Sequence, residues 1–412
     1  MLIYDLGIVL MELGIKLAAP FNEKARLWVE GRKNLLRTMA EKVDSSAEAI
    51  WIHAASLGEF EQARPIIEAL RKEKPETKIL VTFYSPSGYE IRKNYKEADY
   101  VFYLPSDRIN NVRKFLDIVK PSTAIFIKYE FWLNYLKELA KRNIRTFIVS
   151  SIFRRNSIFF KTWGYAWRNA LNAFETIFVQ NNNSKELLKE LGFDNVVVAN
   201  DTRFDRVEQI YRQAKVLPKL EAFKQDKRLF VAGSTWQPDE ELLQELINLN
   251  PGIKFVIAPH EMDEERIKRI IERTKGGAVR YTLAQDEELK RNQVLIIDTI
   301  GILSSIYRYA EWSYIGGGFG VGIHNTLEAA TFALPIAFGP NYHKFKEAKD
   351  LIAINAACSI KNMAELEKWF LPLRDDENKR KEAARRAREY TASHQGATKI
   401  ITKVILSKEE EK

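Results

Sequence analysis

Residues 312–340 read WSYIGGGFGVGIHNTLEAATFALPIAFGP. A short apolar run over 312–315 leads into Gly316, Gly317, Gly318, Gly320 and Gly322. A helical stretch over 327–333 and a second apolar run at 335–338 follow. The order is strand, glycine-rich loop, helix, strand, the repeating unit of a parallel α/β sheet. Glycines let the backbone approach a ligand with no Cβ in the way. Asn325 or Thr326 supplies the helix N-cap. A helix start gathers free N–H groups and positive dipole charge, so it suits a phosphate or a carboxylate. Glu328 falls in the first turn, where it faces either the dipole or sugar hydroxyls. A loop that needs glycine only to turn is the simpler reading. Five glycines in seven residues before a helix favour the anion site.

The same alternation extends along the chain. Upstream strands are expected at 50–54, 78–83, 100–104, 124–128, 146–150, 177–179 and 196–198, with amphipathic helices at 61–72, 109–119 and 133–141 between them. A second series places strands at 229–232, 255–258, 294–297, 312–315 and 335–338. The expected fold is α/β, with two doubly wound parallel-sheet domains facing each other and ligands held beyond the carboxyl ends of the strands. The expected division is an apolar segment at 1–35, a first domain at 36–210, a polar linker at 211–228, a second domain at 229–374 and a charged helix at 375–412 that packs back across the junction.

A chain of 412 residues is too long for one core, and 46% apolar with 29% charged residues is an ordinary globular balance. The net charge of +9 favours anionic partners. Cys358 is the sole cysteine, which excludes an intrachain disulfide and a thiolate zinc site. The five histidines form no HxxxH or HxH pair, so metal-ligand spacing is absent, which leaves only carboxylate-bound magnesium open; no metal site and no cofactor are expected. Near the N-terminus, Leu2, Leu6, Val9, Leu13 and Leu17 recur at helical spacing, interrupted by Asp5, Glu12 and Lys16. The run is too short for a membrane span and lacks the marks of a signal peptide. Lys24, Arg26, Arg32, Lys33 and Arg37 follow, with Trp28 among them. An apolar helix beside a basic cluster suits an anionic membrane surface; a core helix of the first domain is the other reading.

Five loops after strands could carry chemistry. In HAASLGE (53–59), Glu59 opens a helix, poised as a general base and expected to be held ionised by the dipole; a mere first-turn acid is equally served by that place. In IKYEFW (127–132), Glu130 points to a substrate role, whereas an ion pair with Lys128 on the same strand face is the plainer one. In NDTRFD (200–205), Arg203 could neutralise a carboxylate or phosphate. Gly233, Ser234 and Thr235 form a second backbone-rich anion loop beside the one at Gly317 and Gly318. Pro259 and His260 end the next strand, where His260 could meet a base or phosphate. GxGxxG, GxxxxGK[ST] and GxSxG are all absent, and no nucleic-acid-binding motif accompanies the charge.

Taken in order, these segments resemble the Kdo (3-deoxy-D-manno-octulosonic acid) transferase family of lipopolysaccharide assembly. The resemblance rests on GRKN (31–34), HAASLGE, YEFWLNYL (129–136), NDTRFD, AGST (232–235), DTIG (298–301), GGGFGVGIHNTLEAA and FGPNYHKFKEA, over nearly the whole chain. It implies a GT-B fold and metal-independent, inverting transfer of Kdo from CMP-Kdo to a lipid A precursor at the cytoplasmic face of the inner membrane. It implies Glu59 as the base and Glu130 as a transition-state helper, with Lys128 replacing the first glutamate of the family's ETExWP segment. Arg203 stands where the family usually has lysine, and His260 where arginine follows the proline. Pro259, His260, Ile300, Gly301, Ile302, Asn325, Thr326, Leu327 and Glu328 would meet CMP, with Thr326 replacing proline in an NPLE segment. These departures suggest a divergent branch. A GT-B enzyme acting on a UDP-sugar, a sugar epimerase, or a non-catalytic anionic-lipid binder remain the alternatives.

Overall fold

Short runs of β-branched and aromatic residues build two seven-stranded sheets in the computed structural model, which describes residues 2–407. The first sheet contains β1 (Ala49–Ala54), β2 (Lys78–Phe83), β3 (Tyr100–Tyr103), β4 (Pro121–Ile127), β5 (Arg145–Ser151), β6 (Thr176–Val179) and β7 (Val196–Val198). Their order is β3-β2-β1-β4-β5-β6-β7, and every pairing is parallel. Such a sheet is covered on both faces, so its strands are apolar throughout rather than alternating. In β1, Ile50 and Ile52 join one core and Trp51 the opposite one.

The second sheet contains β8 (Leu229–Thr235), β9 (Lys254–Pro259), β10 (Ala278–Arg280), β11 (Val294–Ile296), β12 (Trp312–Ile315), β13 (Ile336–Phe338) and β14 (Ala357–Ser359). Its order is β10-β11-β9-β8-β12-β13-β14, again wholly parallel. The edge strands β10 and β14 were not expected from sequence. Each has three residues and little β-branched character, so sheet pairing rather than local propensity makes them strands.

One compact unit comprises Met1–Arg206 with Gln395–Lys412, and the other Val207–His394. Residues 211–228, expected as linker, belong to the second unit. Helix Pro218–Lys224 buries Leu220 and Phe223 in its core, an apolar pair at i, i+3 that the polar surroundings conceal. The expected single charged helix at 375–412 is also divided. Glu377–Ser393 lies in the second unit, with Ala387 in its core. Gly396 (φ +101°) turns the chain, and Ala397–Ser407 buries Ala397, Ile401 and Ile405 in the first unit's core. Residues 408–412 of that expected helix, and Met1, lie outside the described residues.

The first helix, Leu2–Ala18, turns polar groups and the buried Ile8 inward and an apolar stripe outward. Tyr4 donates to Asp107 Oδ2 at 2.5 Å, Asp5 accepts from Asn134 Nδ2 at 2.8 Å, and Glu12 accepts from Ser106 and Arg108. Ile3, Leu6, Leu10, Leu13 and Leu17 are exposed along the outer face. Among the described residues no helix is long and apolar enough to cross a membrane. Trp28, expected near an interface, is instead buried. Arg32, expected in the exposed basic cluster, lies 4.0 Å over the Trp28 ring and donates to the carbonyls of Trp28, Tyr84 and Leu104. Burial pushes its guanidinium down to about 10.

Burial pushes Asp107 up to about 7, against the donors Tyr4, Asn134 N and Tyr135 N. A carboxyl whose folded value lies above its unfolded one favours folding while protonated. Its contribution is full below the unfolded value of about 3.9 and is lost as pH rises through about 7. Asp107→Asn is therefore expected to flatten the dependence of urea midpoint on pH between about 4 and 7. An unchanged slope would refute this account.

Candidate active site

In the first unit the chemistry gathers where β1 and β4 end. After β1, Ser56 caps helix Leu57–Glu73, and Glu59, three residues on, reaches back to Ser56 N at 2.9 Å and Oγ at 3.1 Å. This capping box fixes the carboxylate. The expected lowering by the helix dipole is overturned. Burial first, and the charge of Glu130 second, raise the Glu59 carboxyl above its ordinary value, while Ser56, Lys128 and His53 oppose them. Desolvation beside a like charge outweighs a few N–H groups.

β4 ends at Ile127, and Lys128 then adopts left-handed backbone (φ +68°). That turn breaks the strand parity that would have paired Lys128 with Glu130. Glu130 Oε2 instead meets His53 Nε2 at 3.1 Å and accepts from Trp132 Nε1 at 2.7 Å. Arg203 is held by Asp201, with Nε 3.0 Å from Oδ2 and the backbone N–H donating to Oδ1 at 2.9 Å. Asp201 also accepts from Gln62 and Gln180. Arg203 is thus a braced cation rather than a loose surface arginine, its side chain 32% exposed.

In the second unit the loops after β8, β9 and β12 come together. Gly316 N donates to Gly233 O at 2.9 Å, and a Cβ on Gly316 would lie 2.2 Å from Ser234 O. Gly317 (φ +90°) turns the chain in the region that favours glycine. Buried Asp239 ties both loops, accepting from Trp236 N and Gly317 N at 2.9 Å each and from Tyr314 Oη at 2.7 Å. His260 stacks between Trp236 (4.9 Å) and His324 (4.3 Å). Burial and then His260 push His324 down to about 4. Its bare Nε2 accepts from Trp236 Nε1 at 3.0 Å.

Asn325 is the N-cap, its Oδ1 accepting from Leu327 N at 3.0 Å and its Nδ2 donating to Glu328 Oε1 at 3.0 Å. The helix, Thr326–Thr331, is shorter than expected, because Ala333 is left-handed (φ +56°). Ile300 is exposed, Gly301 turns at φ +90°, and Ile302 precedes helix Leu303–Ile306. Pro259 closes β9.

Sequence reasoning passed over His53, Thr82, Trp132, Asp239 and His324. Their place beside quoted motifs was visible, but nothing in the sequence joins residues so far apart. Among the described residues no group of three or more His, Cys, Asp or Glu side chains is gathered for a metal ion.

Residues 30–206 match the family described as 3-deoxy-D-manno-octulosonic-acid transferase (kdotransferase). The chain is 32% identical over 328 residues to the 3-deoxy-D-manno-octulosonic acid transferase of Rickettsia prowazekii, covering 77% of this chain and 70% of that protein. It is 24% identical over 373 residues to the enzyme of the same name from Haemophilus influenzae, covering 87% and 86%. Among solved structures, UDP-GlcNAc 2-epimerase from Neisseria meningitidis bound to UDP-GlcNAc aligns with TM-score 0.63 and 15% identity, over 87% of this chain and all (100%) of that one. Acinetobacter baumannii MurG aligns with TM-score 0.56 and 12% identity, over 88% and 99%. At such identities these likenesses speak to fold alone, and the fold is GT-B.

Proposed function

The chain belongs to the 3-deoxy-D-manno-octulosonic acid (Kdo) transferase family of glycosyltransferases, and from that premise we propose that it transfers Kdo from CMP-Kdo to a lipid A precursor with inversion. The observation that carries the proposal is the pair of carboxylates after β1 and β4. Glu59, its proton affinity raised, neighbours Glu130, whose oxygen is fixed by His53 and Trp132. A weakly acidic carboxyl beside a fixed anion suits a general base.

In the proposed step Glu59 takes the proton of the acceptor hydroxyl. The hydroxyl oxygen bonds to the anomeric carbon of Kdo, and the bond to the CMP phosphate breaks with its electron pair leaving on phosphate. Glu130 and Arg203 set the charge around the oxocarbenium-like transition state. In the second unit, backbone at Gly233, Ser234, Thr235, Gly317 and Gly318, with the helix start at Asn325, Thr326, Leu327 and Glu328, would take the phosphate and sugar of CMP. Pro259, His260, Ile300, Gly301 and Ile302 would frame the rest, the stacked His260 serving as a flat surface for a base. Incubation with CMP-Kdo and a tetra-acylated lipid A precursor is expected to add Kdo to the lipid, read by mass spectrometry. CMP is expected to compete and UDP not. Competition by UDP alone would favour a UDP-sugar enzyme.

The outward apolar face of Leu2–Ala18 supports peripheral attachment to an anionic membrane, at the cytoplasmic face of the inner membrane where the precursor is made. A cavity of about 410 Å³ beside it is lined by Lys16, Arg32, Lys33 and Arg37 together with Trp28 and Leu36. Polar inner contacts dock the helix without using Leu6 or Leu13, which are 59% and 51% exposed. The double substitution Leu6→Asp and Leu13→Asp is expected to keep the thermal midpoint and to abolish cosedimentation with anionic vesicles. Retained binding would refute attachment through this face.

A further inference from the structure

β1 and β2 run parallel with His53 opposite Thr82. His53 is fully buried, and each ring nitrogen has two polar neighbours. Nδ1 lies 2.9 Å from Thr82 Oγ1 and 3.1 Å from Thr82 O. Nε2 lies 3.1 Å from Glu130 Oε2 and 3.2 Å from Trp132 Nε1. Trp51 Nε1 donates to Thr82 Oγ1 at 2.8 Å.

The ring proton has two places to sit. On Nδ1 it would leave a bare Nε2 facing a carboxylate oxygen 3.1 Å away, lone pair against lone pair. On Nε2 it donates to Glu130, and Trp132 supplies a second bond to the same oxygen. The Thr82 hydroxyl, whose oxygen already accepts from Trp51, then donates its own hydrogen to Nδ1. In that arrangement every donor of the relay has an acceptor and its bonds run in one direction, and the one acceptor left facing Nδ1 is the uncharged Thr82 carbonyl rather than a carboxylate.

We propose that His53 and Thr82 are positioning residues of the transfer reaction, forming a relay Trp51→Thr82→His53→Glu130 that fixes the Nε2–H tautomer and holds Glu130 as an oriented anion. The two donors on Oε2 fix the orientation of the carboxylate. Among the described residues no hydrogen bond engages Oε1, so that oxygen stays open to substrate. The charge so held is the one that adds to the basicity of Glu59. The catalytic part of this inference rests on the proposed function; the tautomer does not.

The first test needs no substrate. In wild-type protein with ¹⁵N-labelled histidine rings, assigned through His53→Gln, the His53 signals are expected to show Nε2 protonated and Nδ1 bare. A proton on Nδ1, in a neutral or a charged ring, overturns the relay whichever sugar nucleotide the enzyme uses. The second test is kinetic. Thr82→Val removes the hydroxyl donor and is expected to lower kcat about tenfold, the scale of one charge-linked hydrogen bond. KM for donor and acceptor should stay within about twofold, since the loss falls in the transition state alone. Thr82→Ser should restore kcat. His53→Gln, which keeps an N–H donor, should retain more activity than His53→Leu. Serine as poor as valine, or glutamine as poor as leucine, means that packing alone is at stake and refutes the positioning role.

Discussion

Glu59→Gln is expected to fold as wild type and to slow Kdo transfer by about 10²–10⁴-fold, the usual contribution of one general base. Folding should survive because glutamine at the third helical position also completes a capping box with Ser56. What it lacks is the lone pair of a basic carboxylate. Steady-state kinetics with saturating donor measures the loss, and turnover near wild type would remove Glu59 as the base. The wild-type pH profile should carry the same information. With Glu59 as the proposed base, transfer needs its carboxylate ionised, so the rate should fall on acidification, at a pH above the ordinary carboxylate range because burial and Glu130 raise its proton affinity. Glu130→Gln removes the second of those causes and should move this acidic limb to lower pH. A limb unmoved by that substitution would separate the two carboxylates.

Gly316→Ala should damage the second unit most. The added Cβ would meet Ser234 O at 2.2 Å, Thr235 Cα at 2.6 Å and Ser234 C at 2.8 Å. All three atoms are backbone, so no side chain can swing away. Relief requires β12 to part from β8 at the bond from Gly316 N to Gly233 O. Overpacking of this kind costs about 1–3 kcal/mol. For a unit of this size that is a fall in Tm of roughly 2–12 °C. CMP binding by calorimetry should weaken at least about tenfold, because both anion loops shift together. An unchanged Tm with full CMP affinity would show that the close approach of the two loops is not needed.

The fold was legible because buried parallel strands advertise themselves. Lys78–Phe83 and Trp312–Ile315 are runs dominated by apolar residues, and their observed bounds equal the expected ones. An N-cap at Asn325 or Thr326 was legible for the same local reason, and Asn325 takes that place. Non-local facts were hidden. Lys128 was read as continuing its strand, since nothing in KYEF announces left-handed backbone. The raised affinity of Glu59 depends on Glu130, 71 residues away in sequence by subtraction of the two numbers, and on burial that only the folded sheet creates. Nothing local marks Asp239, whose three hydrogen bonds make it the tie between two loops. Trp28 and Arg32 looked like interface residues from composition, but they enclose each other.

The last described helix, Ala397–Ser407, returns to the first unit's core after the whole second unit has intervened in sequence. During synthesis, the face of Leu57–Glu73 that receives it must wait until residues 397–407 have been made and have left the ribosome. The first unit is therefore completed only after the second has been made, and the growing chain carries an uncovered greasy patch over that interval. Premature termination anywhere upstream of Ala397 would leave that patch permanently open, making truncated products targets for chaperones and proteases rather than partly active enzymes.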